Sequence, residues 1–121
     1  MSHPNEFDPA VEGRLARARF SSAFMSDTKW RKAFHALDQA DLGIHEMHVK
    51  FIDVDQPRSM RFPPSLACPL PYMDTIEFGP TELRSIEWLE VAVDIEPTLS
   101  SLGQFPISSN AGRWRLTGYG N

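Results

Sequence analysis

Histidines, a lone cysteine and paired acids are the residues of this chain whose types and spacing come nearest to a chemical site. His45 and His48 stand three positions apart. On a helix they would share a face, but on the strand that the surrounding alternation predicts they point to opposite faces and cannot chelate one ion. The chain also has no Cys-x-x-Cys or His-Glu-x-x-His motif. We therefore expect no metal and no other cofactor.

The single cysteine, Cys68, lies between Ala67 and Pro69 in an apolar stretch. A thiol in such surroundings usually packs as a small hydrophobic group. A catalytic thiolate needs a nearby base or positive charge, and no histidine is close in sequence. A Gly-x-Ser-x-Gly nucleophile motif is also missing. The residues therefore predict no catalytic site, and a non-enzymatic protein is favoured.

Two pairs of acids have the spacing that acid–base chemistry could use. Asp53 and Asp55 share a face if the chain is extended, whereas Glu87 and Glu90 do not. Catalysis by such a pair needs convergent geometry, so we interpret these acids as solvated charges. Glu87 is the exception, because an acid within an apolar strand is costly unless it is paired. The two arginines of the last predicted strand are its expected partners.

Helical signals dominate the first third of the chain. Asp8-Pro9 is typical of a helix start, and an apolar face continues to about Phe24. A second start at Ser26-Asp27 predicts a helix to about Ala40. Its apolar stripe at helical spacing consists of Trp30, Ala33, Phe34 and Leu37.

The remaining elements read mostly as strands. A period of two starts near Ile44 and slips at Ile52, which indicates a bulge or a strand end. We predict further strands over Thr75–Phe78, Leu83–Val93 (with a helix over 81–90 as the alternative) and from Trp114 onwards. A short helix is predicted over Pro97–Leu102, and a turn over 108–112.

The segment 56–74 contains five prolines, which exclude a continuous helix and any central strand. It is nevertheless rich in apolar residues, so we expect an ordered, extended loop packed over the sheet rather than a linker. Together the elements predict an α+β fold, with N-terminal helices packed on a mainly antiparallel sheet of about four strands. Residues 1–7 would be a flexible N-terminus and residues 8–121 a single domain.

Composition sets the broad class. Of the 121 residues 41% are hydrophobic and 23% charged, close to globular averages. No apolar run approaches the length of a membrane span, and the first residues do not resemble a signal peptide. With one cysteine and hence no internal disulfide, the expected location is the cytoplasm.

Several short runs carry a resemblance. They are Asp27-Thr28-Lys29-Trp30, Ile86-Glu87-Trp88-Leu89-Glu90, Phe105-Pro106, and Trp114 to Gly120, which ends in Gly-Tyr-Gly. Over roughly residues 26–120 the chain resembles a family of small uncharacterised bacterial proteins, a domain of unknown function. The resemblance implies no activity and no site residues. Small bacterial proteins of this type sometimes act as immunity partners that neutralise toxins.

Charge is unevenly distributed although the net charge is only −4. Residues 9–37 hold six basic residues and two acids, whereas residues 38–96 hold twelve acids and four basic residues. Two interpretations are open: the two segments neutralise each other within the fold, or the acidic one meets a basic partner. A pI of about 5.5 argues against nucleic-acid binding.

These observations favour a protein-binding module, in the form of an immunity or antitoxin-like inhibitor that occludes a basic partner. The charged face would comprise Asp53, Asp55, Asp74, Glu77 and Glu82, and the apolar anchors Phe62, Leu66, Leu70 and Tyr72. The alternative is a small-molecule-binding or enzymatic domain. Its pocket would lie between the proline-rich loop and the sheet, with His48, Glu87 and Arg115 as polar lining. A structural subunit of a larger assembly is the third class.

Overall fold

A five-stranded antiparallel sheet forms the centre of the structure, a computed structural model in which residues 20–121 are described. The elements in chain order are β1 (Ser22–Ala23), α1 (Asp27–Gln39), β2 (Glu46–Phe51), β3 (Arg58–Arg61), β4 (Tyr72–Thr75), β5 (Gly79–Glu82), a 3-10 turn (Leu83–Ser85), β6 (Ile86–Val91), α2 (Glu96–Ser100), β7 (Ile107–Asn110), β8 (Arg113–Thr117) and β9 (Tyr119–Gly120). The central sheet has the order β3-β2-β6-β8-β7, while β4 pairs with β5 and β1 with β9.

Helix α1 forms where the apolar stripe and its cap predict it. The Ser26 side chain accepts a hydrogen bond from the Lys29 backbone N–H at 3.1 Å, which satisfies one of the free donors of the first turn. The four stripe residues are all buried in the core. After Gln39 the chain turns away through Asp41 and Gly43, which both have positive φ. This prediction is confirmed to within one residue.

Strand β2 also follows its sequence pattern. Met47, Val49 and Phe51 are buried, and they form one core with α1, β6 and β8. The pairing of β2 with β6 shifts between Lys50 and Phe51, where the sequence predicts a slip. Lys50 lies opposite Trp88 and Phe51 opposite Ile86, so one residue of β6 is left over and forms a bulge.

The predicted fold class is wrong. The described residues contain nine strands in sheets of five, two and two, with one helix of 13 residues and one of 5. The fold is therefore mostly β rather than N-terminal helices on a four-stranded sheet. Most of the predicted first helix lies outside the described residues. Its predicted end near Phe24 is wrong, because Ser22–Ala23 is a strand.

The proline-rich segment is less irregular than predicted. Strands β3 and β4 occupy parts of it, and β3 is an edge of the central sheet. The prolines flank these strands and lie in the loop between them, residues 62–71, where no ladder hydrogen bond is interrupted. An edge strand such as β3 has four residues and one buried side chain, Met60. It is too short to show an apolar period in the sequence.

Three other boundaries differ from the sequence prediction. The expected strand at Thr75–Phe78 is mostly the hairpin loop between β4 and β5. The expected long strand from Leu83 begins with a 3-10 turn, and only Ile86–Val91 is extended, so neither that full strand nor the alternative helix is correct. The expected turn at 108–112 is largely β7. The short helix near Pro97 is present as α2.

In the described part of the chain, no helix has the length and apolarity needed to cross a membrane.

Candidate functional site

The face of the central sheet that lies opposite α1, here called the outer face, carries the three residues of the predicted alternative pocket. Successive strand residues point to opposite faces. The neighbours of His48 and Glu90 are buried in the core, and so is Leu116 beside Arg115. His48 pairs with Glu90, and Glu90 with Arg115. A row of polar side chains therefore crosses β2, β6 and β8 on the outer face.

Glu90 is the centre of this row. Arg115 donates from Nε to Glu90 Oε2 at 2.8 Å and its Nη2 lies 2.7 Å from the same oxygen, while Arg113 Nε lies 3.4 Å from Oε1. The Arg115 guanidinium also stacks on Trp88, 3.9 Å from the ring centroid. The two arginines that the sequence assigned to Glu87 are thus engaged by Glu90.

Glu87 pairs instead with Lys50, at 3.4 Å, and the same ammonium group donates to the Phe51 carbonyl at 2.6 Å. Both acids of β6 are therefore neutralised within the sheet. For these two acids of the acidic segment 38–96, basic residues of the same sheet balance the charge, and the charge is not presented to a partner.

His48 belongs to a separate group at the β2–β3 end of the outer face. Its Nε2 lies 3.3 Å from Glu46 Oε1, and Ser59 donates a short hydrogen bond to the same oxygen. This hydrogen bond lowers the pKa of the Glu46 carboxyl, and His48 lowers it further. Within residues 20–121 no three potential ligands are grouped as a metal site would require.

The predicted pocket between the proline-rich loop and the sheet is not formed by these residues. His48, Glu87 and Arg115 lie on the outer face, whereas the loop 62–71 lies beside α1, on the other side of the sheet. The loop is held there by Arg31 of α1. Its guanidinium donates to the backbone carbonyls of Leu66, Cys68, Pro69, Leu70 and Tyr72 at distances of 2.7 to 3.0 Å.

Cys68 is part of the same arrangement. Its Sγ donates to the Tyr72 carbonyl at 3.2 Å and lies 3.7 Å from Arg31 Nη2. The thiol is half-buried, and its hydrogen-bond partners are backbone carbonyls and a guanidinium rather than an imidazole. A thiol in this setting helps to shape the loop.

The predicted acidic face divides into exposed and buried members. Asp53, Asp55, Asp74 and Glu77 are exposed. Glu82 is 0% exposed, and its Oε2 lies 3.6 Å from Arg84 Nε, so its inclusion in a surface is wrong. It is buried because β5 turns its side chain inwards immediately before the 3-10 turn.

The predicted anchors divide in the same way. Phe62 is a core residue with its ring 6.3 Å from that of Phe34, so its inclusion is wrong. Leu66 and Tyr72 are half-buried. Of the four predicted anchors, only Leu70 is widely exposed, at 54%. It lies just before β4, at the end of the β4–β5 ribbon opposite the loop that joins these two strands.

That loop, residues 76–78, is here called the hairpin tip, and sequence reasoning missed it as a surface. Ile76 is 75% exposed and Phe78 49%. Gly79 closes the turn in the left-handed conformation, and Thr75 Oγ1 accepts from the Phe78 N–H at 3.0 Å. The only early signal was the Phe-Gly-Pro sequence, which marks a turn as readily as a strand end.

The hairpin tip is fastened to the domain at two points. The Phe78 ring meets the ring of Phe51 edge-on at 6.2 Å, and Glu77 Oε2 accepts from the Arg61 backbone N–H at 3.1 Å. This places the tip beside edge strand β3 and near the turn that follows β2, which carries Asp53 and Asp55. Ile76 makes neither contact.

No protein-family model matches this chain, and neither a curated protein nor a solved structure does so. The resemblance to small bacterial proteins of unknown function therefore remains an expectation from the sequence.

Proposed function

We propose that this protein is a protein-binding module and that the hairpin tip contacts its partner. The observation that carries the proposal is the exposure of Ile76 and Phe78, two positions apart in the loop of a short hairpin. Large apolar side chains that stand in water on a rigid support are typical of the central anchors of protein interfaces. Ile76, the more exposed of the two, is the proposed main anchor.

The charges around the hairpin tip support a partner with a basic surface. Asp53, Asp55 and Asp74 are exposed acids, and none of them has an ion pair with a side chain among residues 20–121. Arg58 and Arg61 are the basic residues of the neighbouring edge strand, so the surface is acidic overall but not uniformly. Acids at the rim of an apolar contact steer a basic partner and set the salt dependence of binding.

Occlusion is the mechanism that we propose for this binding, as in immunity or antitoxin-like inhibitors. Glu87 and Glu90 of the central sheet are already paired with basic side chains, so the acids without an ion pair near the hairpin tip are the ones left to meet a basic partner. Under this proposal the hairpin tip enters a basic cleft of the partner, and Ile76 is buried there.

A comparison of matched variants tests the proposal. Partner proteins are captured from a lysate of the source organism at low and high salt, purified, and titrated against wild-type and variant protein by calorimetry. Ile76→Ser should weaken binding about tenfold or more, because loss of a buried apolar anchor costs at least about 1.4 kcal/mol. Leu102→Ser removes a similarly apolar side chain, 39% exposed, from the segment after α2 beside Lys32 rather than from the hairpin tip, and should leave binding unchanged.

The acids are tested separately. A double reversal, Asp53→Lys with Asp55→Lys, should weaken binding at low salt and flatten its salt dependence. Equal affinity of wild type and Ile76→Ser would contradict the hairpin tip as the contact. An unaltered salt dependence in the double reversal would contradict the role of the acids.

A further inference from the structure

A cleft of about 390 Å³ lies between the first turns of α1 and the chain that follows α2. Its walls include Thr28, Lys29 and Lys32 on the helix side, and Gln104 and Phe105 opposite them. This volume lies within the range of small-molecule sites in proteins. The cleft is distinct from the outer face and from the hairpin tip.

Its walls carry two cations and no acid. The acid nearest in sequence, Asp27, is bound to Arg84 at 2.9 Å. The Lys29 ammonium lies 5.0 Å from the centroid of the Phe105 ring, and Lys32 Nζ donates to the Leu102 carbonyl at 3.4 Å. Neither lysine has an ion pair with a described residue, so both charges face the cleft without a counter-charge.

Hydroxyl groups add neutral donors beside these charges. Ser26 and Thr28 line the cleft. The Ser26 oxygen already accepts from the Lys29 backbone, which leaves its own proton free for donation to a ligand. Lysine ammonium groups with adjacent hydroxyls suit the oxygens of a phosphate, while the Phe105 ring offers an apolar wall.

We propose that this cleft binds a small organic phosphate. Lys29 and Lys32 pair with the phosphate oxygens, the Ser26 and Thr28 hydroxyls donate to them, and the organic part lies against Phe105. The Lys29 ammonium contacts the Phe105 ring, and Lys32 Nζ contacts the Leu102 carbonyl, both in the segment opposite the helix. A phosphate replaces these weak contacts with ion pairs.

The test is an NMR titration of the ¹⁵N-labelled full chain with phenyl phosphate, with inorganic phosphate and sodium sulfate at matched ionic strength as the comparisons. Phenyl phosphate should shift the amides of residues 26–32 and 102–105 and bind at least about fivefold more tightly than inorganic phosphate. Sulfate should be weaker than phenyl phosphate by a similar factor. Equal affinity for all three anions would overturn the assignment of an organic phosphate site.

Variants separate the cleft from general charge attraction. Lys29→Gln with Lys32→Gln should weaken phenyl phosphate binding at least tenfold, while its circular dichroism spectrum stays that of wild type because neither lysine belongs to the buried stripe of α1. Arg58→Gln removes an exposed cation elsewhere and should bind as wild type does. Equal losses in the two variants, or shifts scattered over the surface, would overturn the proposal. Ile76→Ser should retain phenyl phosphate binding, so the cleft and the hairpin tip can fail independently.

Discussion

Replacement of Arg31 by alanine should release the loop 62–71 from α1. The guanidinium of Arg31 makes five hydrogen bonds to loop carbonyls, which no shorter side chain can reach. Apart from these bonds, the middle of the loop is held by few backbone contacts, among them the reciprocal pair between Ser65 and Asp74 at 2.8 Å. The loop should therefore open while the central sheet stays folded.

The size of the effect follows from the burial of the bonds. Those to the carbonyls of Leu66, Cys68 and Tyr72 are partly buried, whereas the other two are exposed. A partly buried bond contributes about 1 kcal/mol net, and water replaces an exposed one at little cost. Because all of the bonds hold one loop, they are not independent. We expect Arg31→Ala to lower the free energy of unfolding by about 2 to 4 kcal/mol.

Urea unfolding measures this loss, and hydrogen exchange locates it. The amides of Ser65 and Asp74 should lose protection in Arg31→Ala, while those of β6 should not. Arg31→Lys should recover less than half of the loss, since an ammonium group cannot reproduce the planar fork. Lys32→Ala, one residue on and exposed, should change stability by less than about 0.5 kcal/mol. A similarly small change in Arg31→Ala, with loop protection intact, would refute the reasoning.

Two further predictions concern close packing and pH. Gly118→Ala should lower the free energy of unfolding by about 1 to 3 kcal/mol, because the new methyl group would lie 2.4 Å from the Ile86 carbonyl oxygen. In the control Gly120→Ala, the methyl group would meet only the ring of Phe24, an exposed side chain. Thermal melts in which Gly120→Ala is the less stable variant would contradict this. Ser59→Ala should raise the Glu46 pKa towards its ordinary value of 4.5. A carboxylate with a lowered pKa contributes stability that is fully present above the ordinary pKa and is lost as the pH falls through the lowered one. The stability difference between wild type and Ser59→Ala should therefore vanish in acid. A difference that grows in acid would disprove the assignment.

Periodic elements were predictable, and short polar ones were not. Helix α1 and strand β2 repeat their apolar residues often enough to give a clear period, and both appear where expected. Strands β3 and β7 have four residues each, at the edges of the sheet. Such short strands form because they pair with a neighbouring strand, and the sequence of the short strand does not identify that neighbour.

The candidate site was predictable only in its acids. Asp53 and Asp55 are exposed as expected, but a strand predicted over Thr75–Phe78 does not indicate that Ile76 lies in an exposed hairpin loop. The role of Arg31 was hidden for a different reason. Its acceptors are backbone carbonyls, which every sequence has, so no residue type marks the place where they converge.

The pairing of the described chain's two ends has a consequence for folding kinetics. Ser21 bonds to Asn121, 100 positions away, whereas the hairpins β2–β3, β4–β5 and β7–β8 each close over a short stretch. Closure of a long loop costs more chain entropy, and distant pairings slow folding. We expect the three hairpins to form first, β6 to join β2–β3 and β7–β8 into the central sheet, and β1 to dock on β9 last. Substitutions in β1 should then accelerate unfolding and leave the folding rate almost unchanged.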